Sequence, residues 1–165
     1  MQLAKIKKTD PEGIFLPAFP ENVGLILKQA KELGIHARWF SWNIEGSDVT
    51  AIAGSAANGI IYSSTAFEPD DQSAQIGLFV KNFQAKYGKL PNIYAATAYD
   101  GISILTQAIC ETDGSGSSIK NYLYGMDTHA GVSGMTKFDS DGMSKKDVIF
   151  KTIKNGRFVR YENVK

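Results

Sequence analysis

Apolar residues fall along this chain in two alternating arrangements: short unbroken runs bounded by turn residues, and stripes spaced three or four apart. Residues 13–19 form a run of strand length whose last part, "FLPAFP" with Pro20, sets an aromatic residue between two prolines. The spacing then changes at once. Val23, Ile26, Leu27, Ala30 and Leu33 predict a helix over 21–34 that packs by one face. Pro20 suits the first helical position, where its missing N–H is not needed, and Gly34 suits a left-handed cap. Residues 38–42 predict a second strand, rich in aromatics. After a loop from Asn43, Ser47 or Asp48 can cap a short helix through Ala53, and residues 59–63 predict a third strand. Strand, helix, strand, short helix, strand is the order of a parallel sheet with crossovers.

The middle of the chain is helical. Ile76, Phe79, Val80, Phe83 and Tyr87 hold one face of a long helix that Gly88 stops. Ala95, Ala98, Tyr99, Ile102, Leu105 and Ile109 mark another over 93–110. A glycine-serine linker at 113–118 leads, through its last serines, into a helix ending near Tyr124. Beyond it, residues 131–134 and 135–138 read as short extended pieces and 139–142 as a turn. Residues 148–154 and 157–161 flank Asn155-Gly156, a strong signal for a two-residue hairpin because both positions tolerate positive φ. At the other end, Leu3 and Ile6 face inward from the last turns of a helix, with lysines near its C-terminal dipole. A chain that opens on the tail of a helix is expected to be cut from something longer.

Composition narrows the chemistry. The 165 residues are 43% apolar and 21% charged with a net charge of +1, ordinary for a globular chain. No basic stripe interleaves with aromatics, so no nucleic-acid partner is expected. No stretch approaches the roughly 20 apolar residues of a membrane span. The single cysteine, Cys110, has no internal partner and no metal spacing, and reads as a small core or half-buried thiol. His36 and His129 lie far apart without a ligand pattern and read as surface residues. Asp139-x-Asp141-Gly142 begins like a calcium loop, but its twelfth position is Phe150 instead of a glutamate. No nucleophile elbow and no phosphate-cradling loop is present, so no catalytic residue, cofactor or metal is expected.

Aromatic and polar residues at strand ends remain. Phe19 closes the first strand and Trp42-Asn43 the second, and in parallel sheets these ends share an edge. Phe19, Trp42 and Asn43 can therefore line one crevice, or the two rings can instead cap the local core.

The stretches "LILKQAKELG" (25–34), "AGSAANG" (53–59), "FQAKYG" (83–88), "AATAYD" (95–100), "GVSG" (131–134) and "TKFD" (136–139) stand in an order and spacing that resemble the substrate-binding proteins of branched-chain amino acid ABC transporters, the type I periplasmic binding proteins. The resemblance covers nearly the whole chain, but only the C-terminal half of a full-length member. It implies an incomplete α/β fold, a parallel sheet flanked by helices with a C-terminal β-hairpin, belonging to two lobes that close about a hinge on a small ligand. Residues 1–70 would be the second part of one lobe, 71–145 elements of the other, and 146–165 a hairpin returning to the first. A signal peptide would lie upstream, the location would be periplasmic or extracytoplasmic, and the full-length partner would be an ABC permease.

On the same resemblance, Phe19 falls where the family often places a tyrosine or other aromatic facing the ligand. Asn43 falls near an acidic position that receives an ammonium in amino-acid binders, and Tyr99 matches a cleft tyrosine of the opposite lobe. Phe19 lacks the hydroxyl and Asn43 the charge; a slip in the loop would bring Glu45 there instead. The expected function is non-catalytic binding of a small amino-acid-like or aromatic molecule by Phe19, Trp42, Asn43 and Tyr99. The alternatives are a receptor's ligand-sensing domain or a self-standing flavodoxin-like interaction domain. The isolated chain, with apolar faces that lack a sheet, is expected to self-associate.

Overall fold

The structure, a computed structural model, describes residues 2–162. The chain forms two units: residues up to Ser64 together with those from Ile149 onward, and residues 65–148.

In the first unit, α1 (Gln2–Thr9) leads to β1 (Gly13–Phe15), α2 (Pro20–Glu32), β2 (Arg38–Trp42), α3 (Ser47–Ala53), a 3-10 turn (Gly54–Ala57) and β3 (Ile61–Thr65). The strands β7 (Val148–Lys154) and β8 (Arg157–Arg160) return to it. The sheet order is β1-β2-β3-β7-β8. The first three strands pair in parallel, with Phe15 opposite Phe40 and Phe40 opposite Ile61, while β7 and β8 form an antiparallel hairpin. Asn155 and Gly156 both take positive φ at its turn. The first strand is shorter than expected, because Pro17 cannot donate to the ladder; pairing ends with the Leu16 N–H on the Phe40 carbonyl at 2.8 Å. Pro20 is the first residue of α2, and its apolar stripe buries Val23, Leu27 and Ala30. Val23 and Leu27 join Ile44, Val49, Ala57, Ile60, Tyr62 and Ile153 in one core. α3 begins one residue earlier than a Ser47 cap requires and two earlier than an Asp48 cap: Gly46 is its N-cap, and no side chain bonds there.

The opposite face of this sheet is apolar and open. Side chains alternate along a strand, so Phe40 and Ile61 point away from the core that Trp39 and Tyr62 meet. Phe15, Phe40, Ile61 and Phe150 line a shallow hollow of about 390 Å³ there.

The second unit contains α4 (Ala74–Tyr87), α5 (Ile93–Cys110), α6 (Gly116–Gly125) and an antiparallel sheet of β4 (His129–Gly131), β5 (Gly134–Phe138) and β6 (Ser144–Lys146). Phe67, Phe79, Val80, Ile93, Ala96 and Val132 form its core. Gly88 ends α4 in the left-handed conformation, and Asn92 caps α5 by accepting the Ala95 N–H. Ser115, ahead of the two serines expected to do so, caps α6. Strand β6 had no distinct apolar signal: "SKK" is polar and is a strand because the turn at 139–142 folds it back on β5. Cys110 is exposed, not buried, because it sits at the last turn of α5 away from the packed face.

Candidate functional site

The parallel pairing of β1, β2 and β3 carries their C-terminal ends to one edge of the first unit. Past β1, the Ser41 hydroxyl donates to the Leu16 carbonyl at 2.7 Å, and Ala18 packs on the core. Phe19 is then held extended, at φ −67° and ψ 153°, as a residue before proline prefers. Its carbonyl accepts the Val23 N–H at 3.0 Å and so starts α2. Its ring stays outside at 81% exposure. Phe19 thus stands four residues beyond the last paired residue of β1, not within the strand.

Trp42 ends β2 opposite Ser63 and is 54% exposed. The Asn43 N–H donates to the Ser63 carbonyl at 2.8 Å, and the residue turns the chain at φ 43°, a left-handed conformation asparagine tolerates better than most. The loop then dives inward: Ile44 and Glu45 are buried. It emerges at Gly46, where an added β-carbon would lie 3.4 Å from Pro20 Cβ. The loop after β2 and the start of α2 therefore touch, and Phe19, Trp42 and Asn43 share one edge. Tyr99 belongs to the second unit, on α5, where it is 51% exposed with its ring centroid 4.8 Å from that of Phe79.

Glu45 does not stand at this edge as a free carboxylate. Its Oε1 accepts the Lys151 ammonium at 2.7 Å, the Ser64 hydroxyl at 3.1 Å and the Tyr62 hydroxyl at 3.2 Å. Burial first, and then the charge of Glu45, raise the Tyr62 pKa far above the usual tyrosine range, so its hydroxyl remains a donor. The chemistry that the edge offers is aromatic surface and an amide.

The second unit has a matching buried carboxylate. Asp100, the one charge on α5, accepts the backbone N–H groups of Val132 and Ser133 at 2.8 Å each and the Ser133 hydroxyl. Lys146 donates to the Ser133 hydroxyl at 2.7 Å and lies 3.8 Å from Asp100. Burial lowers the Lys146 pKa, against the opposing pull of Asp100. A β-carbon at Gly131 would collide with the Asp100 carboxylate, which is why glycine stands there. In the sequence Asp100 stands out only as a lone charge on an otherwise uncharged 18-residue helix, a signal that names no partner. Among the described residues, no group of three His, Cys, Asp or Glu side chains is placed to hold a metal, and no helix is long and apolar enough to cross a membrane.

Comparison with known proteins matches residues 1–157 to the family described as periplasmic binding protein. The leucine-, isoleucine-, valine-, threonine- and alanine-binding protein of Pseudomonas aeruginosa is 28% identical over 109 residues, covering 65% of this chain and 28% of that protein. A Streptococcus pneumoniae branched-chain amino acid transporter substrate-binding protein, solved with isoleucine, is 29% identical with a TM-score of 0.81. That match covers 95% of this chain and 45% of the other. An extracellular ligand-binding receptor from Desulfohalobium retbaense is 28% identical with a TM-score of 0.84, over 98% of this chain and 28% of that one. The chain thus spans less than half the length of each of these relatives.

Proposed function

The chain belongs to the periplasmic binding protein family, and from that premise we propose that it is part of the solute-binding component of an ABC importer, holding a small molecule without catalysis. The observation that carries this reading is the exposed edge of the first unit. There Phe19 and Trp42 present open rings beside the amide of Asn43, at the strand ends where open α/β sheets take ligands. Tyr99, exposed on α5 of the second unit, is the fourth residue proposed for ligand contact. The solute is a small amino-acid-like or aromatic molecule. The location is extracytoplasmic, and the partner of the whole protein is an ABC permease.

A thermal-shift series on the polypeptide that carries this chain tests the reading, with leucine, isoleucine, aromatic acids and amides as probes. A ligand at a hundred times its Kd adds about 2.7 kcal/mol of stability, which is readily seen as a rise in Tm. Stabilisation by one class, lost in a Phe19→Ala, Asn43→Ala variant, supports the assignment. No response to any of them, at millimolar concentration, overturns it.

A second reading, a ligand-sensing domain of a receptor, draws support from the likeness to the Desulfohalobium protein, an extracellular ligand-binding receptor. Both readings use the same edge. They separate in the cell: deletion of the gene abolishes uptake of the solute in the first case, and a response to it with uptake intact in the second.

A further inference from the structure

We propose that Glu45 and Lys151 form a positioning latch that sets the Trp42–Asn43 loop, and with it the shape of the proposed ligand edge; the role in binding rests on the reading above. Three donors converge on Glu45 Oε1: the ammonium of Lys151 on β7, and the hydroxyls of Tyr62 and Ser64, two residues apart on the same face of β3. Glu45 is two residues from Asn43, and Ile44 between them is fully buried. The loop is therefore pinned at its middle, inside the protein, by groups on two neighbouring strands of the sheet.

The energetics point to positioning instead of stability. Both charged side chains are buried, and desolvating an ion pair costs about what its attraction returns, so apolar replacements of similar volume are often neutral or stabilising. What such a pair supplies is direction. An apolar pair at 45 and 151 would fill the same space while leaving the loop free to shift by one rotamer. The ion pair with two hydroxyl donors admits one arrangement. Lys151 also lies on the segment that re-enters the first unit only after the whole second unit has intervened. The ligand edge is thus conditioned by a strand remote from it in sequence, and Lys151, which need touch no ligand, acts through Glu45.

The test uses this chain and needs no ligand for its first arm. Glu45→Gln with Lys151→Met removes both charges at similar volume. The expected result is an unchanged Tm within a few degrees and unchanged amide exchange across α2, but exchange of the Asn43–Gly46 amides faster by on the order of tenfold. A variant that folds and exchanges in that loop as the parent does overturns the latch, since a merely space-filling pair would give that result. Should the double variant fail to fold, Tyr62→Phe with Ser64→Ala removes two donors and leaves the charges paired. It is expected to raise loop exchange by roughly threefold, and no change there overturns the proposal equally. In the second arm, the variants weaken binding of whichever probe stabilises the parent by roughly tenfold. Faster loop exchange with no probe bound by the parent leaves the latch standing and removes the binding function; binding with unchanged exchange does the reverse.

Discussion

Phe19 leaves a ring in water that burial would reward by about 1.5–3 kcal/mol, and the two prolines around it hold it there. A side chain in that position adds little to folding, so Phe19→Ala is expected to change stability by less than about 0.5 kcal/mol in urea denaturation. A loss of 2 kcal/mol or more would mean that the ring packs on something in solution. Lys146 carries a different expectation. Its pKa is held below the ordinary lysine value of 10.5, by burial first, so the unfolded chain binds that proton more tightly than the folded one. The group therefore costs stability at neutral pH, and the cost is lifted as pH rises through the depressed folded value toward 10.5. Lys146→Met removes this dependence. The stability of the parent minus that of the variant should rise between pH 7 and pH 10, and a flat or falling difference would contradict it. At this scale the sequence was partly legible. Phe19, Trp42 and Asn43 could be placed on one edge because parallel pairing dictates where strand ends go. The role of Glu45 could not be read, because nothing local says that a lysine on β7 will lie 2.7 Å away.

Elements were legible where their period was strong. The helix at 93–110 has the bounds expected of it, with Asn92 as its cap, but the face it buries is Ile93, Ala96, Asp100, Ile104 and Ala108, while Tyr99, Ile102, Leu105 and Ile109 of the expected stripe stay exposed. The hairpin at Asn155-Gly156 follows from two residues that accept positive φ, 51° and 74° here. Gly156→Ala forces a β-carbon into that conformation and is expected to destabilise the first unit by about 1 kcal/mol, measured by denaturant midpoint, with fraying confined to β7 and β8. If the midpoint does not move, the turn is not the I′ type that these angles describe. Strand β6 was missed because its three residues are polar and its pairing, Phe138 with Ser144 and Thr136 with Lys146, is imposed by the turn before it. The first strand ends before its apolar run does, because Leu16, Ala18 and Phe19 continue the run while Pro17 has already broken the ladder.

At the scale of the whole chain, apolar surface is the governing fact. Parallel sheets are covered on both faces in stable α/β proteins, yet Phe15, Phe40 and Phe150 are exposed on one face of the first unit. In the second unit, Ile102, Leu105 and Ile109 are exposed along α5. Patches of this kind drive association. The chain alone is therefore expected to form dimers or larger species at micromolar concentration, with a mass by light scattering at least twice 18.0 kDa. A clean monomer would show that these faces find cover within one chain. The return of β7 also makes the first unit discontinuous in sequence. Roughly a hundred residues separate Glu45 from Lys151, and closing a loop of that length costs only about 0.6 kcal/mol more than closing one of half the length. The intervening segment can therefore lengthen or shorten at little expense to the pair beneath the rim, whereas a cut ahead of β7 would strand the Glu45 carboxylate in the interior without its counter-charge.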